Sequence, residues 1–312
     1  MLEKKSLSMN NFFVKKTIHF FLLVLSVYLL SFFLVRLIPG DPVDILAGIG
    51  NSSVDVVLIK QQLGLEQGFF DQLKTAIKNL VLFDFGLSIH QGTSVNDIIK
   101  PALLNTYTLA VTAVIISILI GIPLGLFVSL TNKNEIINIV KKICNIIIAI
   151  PSFILAPILI LVFSMQLNWL PVSGMDSHLS IVLPSLTLAL GLLCYLANMT
   201  LDCANDLKEN AIITTARSKG LRVEKIYFIH IFRLISLPLV TAIGMQLGGL
   251  LSGAIITEMI FSWDGVGKIL IDSIHQRDYP ITQAAIFFIA ITFVAINFIL
   301  EFIYRKLDPR IR

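Results

Sequence analysis

Six long stretches of the chain contain no Asp, Glu, Lys or Arg and consist mostly of apolar residues. The six stretches are Thr17 to Val35, Pro101 to Asn132, Ile143 to Met175, Ser177 to Leu201, Leu234 to Thr257 and Tyr279 to Leu300. A helix needs about 20 apolar residues to cross a bilayer, and each stretch is about that long or longer. Because the stretches lack the short alternating segments of a membrane β-barrel, the pattern predicts an all-α polytopic membrane protein with six transmembrane helices.

The polar segments between these stretches differ in charge. If the N-terminus lies in the cytoplasm, the inner segments hold far more of the 24 Lys and Arg residues than the outer segments do. Cytoplasmic loops of membrane proteins are enriched in these residues, so we expect both termini in the cytoplasm. Trp169 and Trp263 then fall at the outer membrane interface, where the amphipathic indole ring is favoured.

The same pattern divides the chain into segments. We expect a cytoplasmic N-terminal segment at 1–16, a first transmembrane helix at 17–38, an extracytoplasmic segment at 39–100 and a five-helix core at 101–312. The outer segment is acidic and includes a helix-like stretch from Val54 to Leu63. Because it is too short and too polar for an independent enzyme domain, we interpret it as a small cap over the outer mouth.

The amino-acid composition indicates that most of the chain is surrounded by lipid. Hydrophobic residues make up 56% of the chain and charged residues only 14%, with a mean hydropathy of +0.86, whereas soluble domains carry about 25% charge. The net charge of +4 is explained by the Lys and Arg residues that orient the chain in the membrane. The basic residues form no cluster large enough for a nucleic-acid interface, so no nucleic-acid partner is expected.

The largest inner loop, residues 202–233, contains the sequence T-T-A-R-S-K-G-L from Thr214 to Leu221. Small residues at Thr215, Ala216 and Ser218 allow another surface to approach closely, and Gly220 supplies a helix stop. A second amphipathic segment runs from Val223 to Phe232. We interpret the loop as a helix, a turn and a helix along the inner membrane face, which a motor protein could push. A basic loop with a merely interfacial helix fits the pattern equally well.

Seven further short motifs are spread along the chain from residue 36 to residue 312, so that they cover the region of all six predicted spans. They are R-L-I-P-G-D-P (36–42), Q-L-G-L (62–65), D-F-G-L-S (84–88), N-W-L-P-V-S-G (168–174), G-M-Q-L-G-G-L-L-S-G-A (244–254), R-D-Y-P (277–280) and L-D-P-R-I-R (307–312). Together with T-A-R-S-K-G-L, His230, Arg233 and Pro238, they resemble the permease subunits of ABC importers. The resemblance is to the B-type subunit of the dipeptide, oligopeptide and nickel branch, over nearly the whole chain.

This resemblance implies the type I permease fold of ABC importers, with a coupling helix that contacts a separate ATP-binding subunit. The residues implied for that contact are Thr215, Ala216, Arg217, Ser218, Lys219, Gly220 and Leu221, with His230, Arg233 and Pro238 supporting the loop. Two positions depart from the family pattern. Thr214 stands where the broader importer motif has Glu, and Asp264 stands where the family usually has Pro.

The implied partners are a related second permease in a heterodimer, two ATP-binding subunits, an extracytoplasmic solute-binding protein and the lipid bilayer. The implied location is the bacterial inner membrane. Cargo is expected to be short peptides, with nickel or another metal chelate and glutathione as the alternatives. Intramembrane ionisable residues often mark transport pathways. We interpret Glu258 as an interfacial or outer-gate residue, with a proton relay as the alternative, and assign Asp264 to the same outer gate.

Catalytic chemistry is not expected of this chain. Ser152 and Ser173 lack His and Asp partners, and there is no P-loop motif for a nucleotide, so ATP and Mg²⁺ are expected on the partner subunits and no cofactor on this chain. Cys144, Cys194 and Cys203 form no C-x-x-C pair, and neither a disulfide framework nor a metal site is predicted. A secondary carrier, a channel and a non-transporting scaffold stay open as other functional classes.

Overall fold

The computed structural model describes residues 2–36, 67–131, 133–208 and 210–307, and it is built from helices. In chain order they are α1 (Leu2–Arg36), α2 (Phe69–Leu82), α3 (Val95–Leu130), α4 (Asn134–Ala149), α5 (Ser152–Leu159), α6 (Val182–Asp206), α7 (Ala211–Ser218), α8 (Val223–Lys225), α9 (Phe232–Ile260), α10 (Val266–Gln276) and α11 (Tyr279–Leu307). Helix α5 continues as a π-helix, Ile160–Gln166, and a 3-10 turn, His178–Ile181, leads into α6.

Among the described residues, five helices are long and apolar enough to cross a membrane, or six if one bent pair counts as a span. The all-α, multi-span fold class predicted from the sequence is therefore confirmed. The predicted stretch from Val54 to Leu63 lies outside the described residues, and the predicted division into segments stays a prediction.

The third predicted span, Ile143 to Met175, is not one straight helix. Its residues up to Gln166 belong to α4 and to α5 with its π-helical extension, and these two pieces meet at an angle of 103°. Pro151 has no backbone N–H and disfavours helical geometry in the preceding residue. Ile150 accordingly adopts an extended conformation, with φ −84° and ψ 119°. The polar side chains of α4, including Lys141 and Asn145, also distinguish it from an all-apolar span.

Contacts divide the chain into two compact units, called here the first unit (Met1–Leu104 and Gly265–Phe298) and the second unit (Asn105–Asp264 and Ile299–Arg312). The core of the first unit is aromatic. Tyr28 and Phe287 meet edge to face with ring centroids 5.4 Å apart, and Phe85 packs on Phe288 at 5.1 Å.

A buried carboxyl group joins two sequence motifs of the first unit. Asp278 is fully buried and accepts a hydrogen bond from the Ser88 hydroxyl at 2.6 Å and another from the His90 backbone N–H at 3.3 Å. The Asp278 carbonyl also accepts from the Thr282 N–H in the first turn of α11. The motifs D-F-G-L-S and R-D-Y-P therefore meet at one hydrogen-bonded corner of the fold.

Helices α3 and α6 of the second unit pack through small residues. A Cβ atom added to Gly121 or Gly125 would lie 2.6 Å or 2.5 Å from the backbone oxygen of Leu193 or Ala197, respectively. Close backbone approach at a small-xxx-small motif is a common way for membrane helices to associate. Above and below these glycines, the Ser117 hydroxyl donates to the Ala189 carbonyl and the Ser129 hydroxyl donates to the Asn205 side chain. From one contact to the next, the residue number increases on both helices, so α3 and α6 run parallel.

Next to its contact with α3, helix α6 also contacts α4 through polar groups. The Asn198 amide donates to the Asn145 side-chain oxygen at 2.8 Å, and Lys141 forms an ion pair with Asp202 one turn further along. Cys144, Cys194 and Ala197 fill the space beside these pairs. Helix α4 therefore runs along α6, which explains why its polar residues occur beside an apolar stretch.

Candidate functional site

Helix α7 begins at a side-chain cap. The Asn210 side chain accepts a hydrogen bond from the Ile212 N–H at 2.9 Å, and the Asn210 carbonyl accepts from the N–H groups of Ile213 and Thr214. Asn is among the preferred N-cap residues because its short side chain satisfies an amide that the helix leaves unpaired. The helix therefore starts at Ala211, four residues before the predicted coupling residues begin.

Helix α7 ends at Ser218, and the chain turns at Gly220, as the sequence predicted. Gly220 has φ +73°, a left-handed conformation that residues with a side chain rarely adopt. The Gly220 N–H donates to the Arg217 carbonyl at 2.9 Å, and the Leu221 N–H donates to the Ala216 carbonyl at 3.3 Å. These two bonds form a Schellman motif, which satisfies carbonyls at a helix end and turns the chain sharply. The prediction that Gly220 stops the helix is confirmed.

Apolar residues hold α7 against the rest of the second unit. Ile213 and Ala216 are buried, and Leu221 packs against the same cluster. Ile226, Tyr227 and Ile231 from the segment after the turn belong to this cluster too. Residues three apart lie on one face of a helix, so Ile213 and Ala216 together fix which side of α7 is turned inward.

The predicted contact residues divide between the two faces of α7 and its turn. Ala216 is buried within the chain and anchors the helix, so it does not offer a surface to another protein. The exposed predicted residues are Thr215, Arg217, Ser218, Lys219 and Gly220, while Leu221 is half-buried. The Thr215 and Ser218 hydroxyls donate to carbonyls one turn back, at 2.8 and 3.0 Å. The exposed charged groups among these residues are the cations Arg217 and Lys219.

Two cations come close where α6 leads into α7. Burial, and then the nearby Arg217 guanidinium, lower the pKa of the Lys208 ammonium group. Arg217 itself lies in the last turn of α7, where the helix dipole favours positive charge. The exposed side of α7 and its turn thus carries the cations Arg217 and Lys219.

The second predicted amphipathic segment, Val223 to Phe232, is not a separate helix. Helix α8 passes through a π-helical turn, Ile226–Ile231, directly into α9. His230 is half-buried in that π-helical turn, Arg233 is exposed in the first turn of α9, and Pro238 lies inside α9. The turn at Gly220 therefore connects α7 directly to a long helix that crosses the membrane.

At the end of α9, Glu258 lies in a closed hydrogen-bonded junction. Its side chain is fully buried, and its carboxyl group accepts a hydrogen bond from the Thr106 hydroxyl of α3 at 2.6 Å. The Glu258 carbonyl accepts from the Trp263 N–H at 2.8 Å, which folds the chain back after α9. Buried polar groups are costly unless they are paired, so this carboxyl group ties α9 firmly to α3.

The neighbouring residues complete what we call the outer junction, after the side of the membrane predicted for it from the sequence. It is made of Asn105, Thr106, Glu258, Trp263 and Asp264. The Trp263 indole N–H donates to the Asn105 carbonyl at 3.1 Å, and the Asn105 amide donates to the Asp264 carbonyl at 2.8 Å. The Asp264 side chain is exposed, and the Asp264 backbone N–H donates to the Met175 sulfur at 3.3 Å. A proline at this position would have no N–H for that contact.

Sequence reasoning missed parts of the outer junction. Trp263 was expected at the membrane interface, but it is buried with 5% exposure because its ring joins the apolar cluster of the second unit. Trp169, with the same expectation, is 65% exposed. Asn105 and Thr106 were not identified as site residues, although two adjacent polar side chains in the apolar stretch that starts at Pro101 were a signal that could have found them.

Comparison with known proteins places these features in context. Residues 121–312 match the family "Binding-protein-dependent transport system inner membrane component", and residues 9–110 match the N-terminal domain of the same systems. The glutathione transport system permease protein GsiC of Escherichia coli (strain K12) is 34% identical over 304 residues, which are 97% of this chain and 99% of that protein. GsiC of Shigella flexneri serotype 5b (strain 8401) shows the same identity and coverage.

A solved structure has the same fold. An inward-facing structure of the MetNI methionine ABC transporter matches with a TM-score of 0.58 and 18% sequence identity, over 68% of this chain and 96% of that one. At this identity the match concerns the arrangement of helices alone.

Proposed function

The chain belongs to the family of binding-protein-dependent transport system inner membrane components, and on this premise we propose that it moves short peptides, with glutathione, a tripeptide, as the first cargo to test. It is a multi-pass permease component of an ABC importer in the inner membrane. The observation that carries the cargo proposal is the 34% identity to a glutathione permease over 97% of the chain. Dipeptides and longer peptides stay in the proposal because they share with glutathione charged ends on a short backbone.

Helix α7 and its turn form the coupling element in this proposal. Its support is geometric: apolar anchors fix α7 to the second unit, the glycine turn links it to the long helix α9, and cations face outward. A force applied to the exposed face of α7 would therefore reach a membrane-crossing helix without a flexible linker. The cationic face contacts an ATP-binding subunit, which holds ATP and Mg²⁺ and supplies the energy.

The outer junction is the gate in this proposal. Its closed network of side-chain and backbone bonds joins the end of α9 to α3, and opening it requires several bonds to break together. A related second permease completes the pathway, and an extracytoplasmic binding protein delivers the cargo. ATP binding and hydrolysis on two ATP-binding subunits drive the alternation between outward and inward access.

Orientation is part of the proposal. The excess of Lys and Arg in alternate segments favours cytoplasmic termini and a cytoplasmic α7. The parallel packing of α3 and α6 agrees with that count, because the ends of both helices then lead into Lys-rich and Arg-rich segments on one side. Membrane-impermeant amine reagents should modify Lys219 from the cytoplasmic side and Lys74 from the outside. The reverse pattern would overturn the orientation.

The cargo is tested by uptake into proteoliposomes that contain the chain with its partner subunits and binding protein. The panel is glutathione, a dipeptide, a tripeptide, a pentapeptide and a nickel–histidine chelate, each with and without ATP. ATP-dependent uptake of glutathione or of the other peptides is expected. Uptake of the nickel chelate alone would contradict the peptide proposal, and transport by the purified chain without ATPase subunits would contradict the coupling role of α7.

A further inference from the structure

Helix α2 has two apolar sides, and only one of them packs on the protein. Leu73, Ala76 and Leu80 face the aromatic core of the first unit. A second row, adjacent to the first on the helix surface, consists of Phe70, Ile77 and Val81, and these side chains are exposed. Phe70 is 81% exposed and Val81 74% exposed. Apolar surface of this extent is unfavourable in water, so the second row requires an apolar neighbour.

The exposed row continues the exposed apolar surface of α1. Near the end of the span Lys16–Leu34, Phe33 is exposed and its ring lies 5.8 Å from that of Phe69 at the start of α2. The Phe69 ring in turn lies 5.7 Å from that of Phe70. A continuous chain of exposed aromatic rings thus leads from a transmembrane helix onto α2. Helix α2 therefore starts at the level where the membrane span ends.

The charged residues of α2 are placed beside the exposed row. Viewed down the helix axis, Lys74 and Lys78 lie next to Phe70 and Ile77, on the side of that row away from the buried face. Both lysines are exposed. Thr75 lies beyond the lysines, on the polar side of the helix. Long Lys side chains can rest their carbons on apolar surface while the ammonium group reaches the phosphate level of a membrane. An apolar row beside lysines is the arrangement of a helix that lies in the membrane surface.

We propose that α2 is a membrane-interface anchor: Phe70, Ile77 and Val81 insert among the acyl chains next to the end of α1, while Lys74 and Lys78 bind lipid phosphates. The part of the predicted cap that the structure describes here is thereby attached to the bilayer at two points, the span α1 and the surface helix α2. This attachment fixes the height of the hydrogen-bonded corner around Asp278 relative to the membrane.

Fluorescence quenching by lipids tests the anchor directly. Single variants Phe70→Cys, Val81→Cys and the matched control Thr75→Cys are made in the full chain, assembled with its partner subunits, and labelled with bimane. Unmutated protein gives the background from Cys144, Cys194 and Cys203, of which the first two are buried and the third half-buried. The proteins are placed in vesicles of phosphatidylcholine and phosphatidylglycerol with a nitroxide either on the headgroup or on the upper acyl chain.

The acyl-chain nitroxide should quench bimane at positions 70 and 81 and leave position 75 near background. Absence of quenching at 70 and 81 would overturn the anchor, and protection of the same positions from aqueous iodide would then identify a protein partner as the cover. Equal quenching at all three positions would also overturn it, because a helix lying in the interface cannot expose every side to lipid.

The lysines are tested separately in the Val81→Cys protein. Replacing Lys74 and Lys78 by Gln should reduce the quenching at position 81 in vesicles with phosphatidylglycerol more than in phosphatidylcholine alone, since the attraction to anionic lipid is electrostatic. Unchanged quenching in both lipids would overturn the phosphate-binding role of the two lysines. ATP hydrolysis by the assembled complex verifies that each variant is folded.

Discussion

Helix α7 and the outer junction belong to the same unit, but opposite kinds of side chain hold them in place. In α7 the apolar Ile213 and Ala216 face inward and the cations face outward. In the outer junction the polar groups face inward, where the Thr106 hydroxyl and the Glu258 carboxyl bond to each other. One region is fixed by apolar contact and leaves its charged groups exposed, whereas the other uses its polar groups internally.

The difference has mechanical consequences. Apolar contact has no preferred direction, so α7 can keep its anchor while the helices around it shift slightly. Buried hydrogen bonds are directional, and an unpaired partner is costly, so the junction favours a closed state over partly open ones. These are the properties that the coupling element and the gate proposed above would need.

We expect the largest effect from a change in the contact between α3 and α6, because α3 carries Thr106 and α6 leads into α7. Gly125→Ala would place a Cβ 2.5 Å from the Ala197 carbonyl and 2.7 Å from the Thr200 Cβ. We expect it to lower the free energy of unfolding by about 3 kcal/mol, because backbone must move. Gly191→Ala is the matched control, since its Cβ would meet nothing within 4 Å. Equal thermal midpoints for the two variants in nanodiscs would contradict the close packing.

Thr106→Val acts on the outer junction alone. It keeps the shape of the side chain but removes the hydroxyl that donates to Glu258. A lost donor to a buried carboxyl group costs about 2 kcal/mol, so the thermal midpoint of the complex should fall. Thr106→Ser retains the hydroxyl and should stay close to the unmutated protein. If Val and Ser behave alike, the hydrogen bond does not hold the junction closed.

Gly220→Val acts on α7 alone. The left-handed backbone at Gly220 costs a residue with a side chain about 1–2 kcal/mol, although the surrounding space is open. We expect the turn to distort, with normal membrane insertion and loss of ATP-driven uptake in proteoliposomes. Gly220→Asn is the control, because Asn tolerates this conformation better. Full uptake by the Val variant would argue against the coupling role.

The smallest expected effect concerns Lys208. Arg217→Gln removes a nearby positive charge and should raise the pKa of Lys208 toward its usual value. A raised pKa leaves less of the reactive neutral amine at a given pH, so acylation of Lys208, followed by mass spectrometry, should slow and its pH profile move upward. Lys219→Gln removes a different exposed cation and serves as the control. An equal shift of the Lys208 pH profile in both variants would mean that the net charge, rather than the nearby Arg217, lowers the pKa of Lys208.

Different parts of the fold were predictable to different extents. The lengths of the apolar stretches were enough to predict membrane helices, and Gly220 was enough to predict the end of α7. The bend at Pro151 was missed because the apolar stretch continues through it, and only the backbone geometry of Ile150 reveals the break. The burial of Trp263 was missed because an indole ring is equally suited to a membrane interface.

The sequence by itself determined which stretches are long and apolar enough for membrane helices, where the glycine turn lies and which residues carry charge. Only the tertiary structure decided which side of each described helix is turned toward the protein, as for Ala216, Trp263 and the two apolar sides of α2. The physical reason is that lipid and protein interior are both apolar, so hydropathy separates either of them from water but cannot separate one from the other. That distinction depends on close packing and on paired polar groups, which exist only once the helices are together.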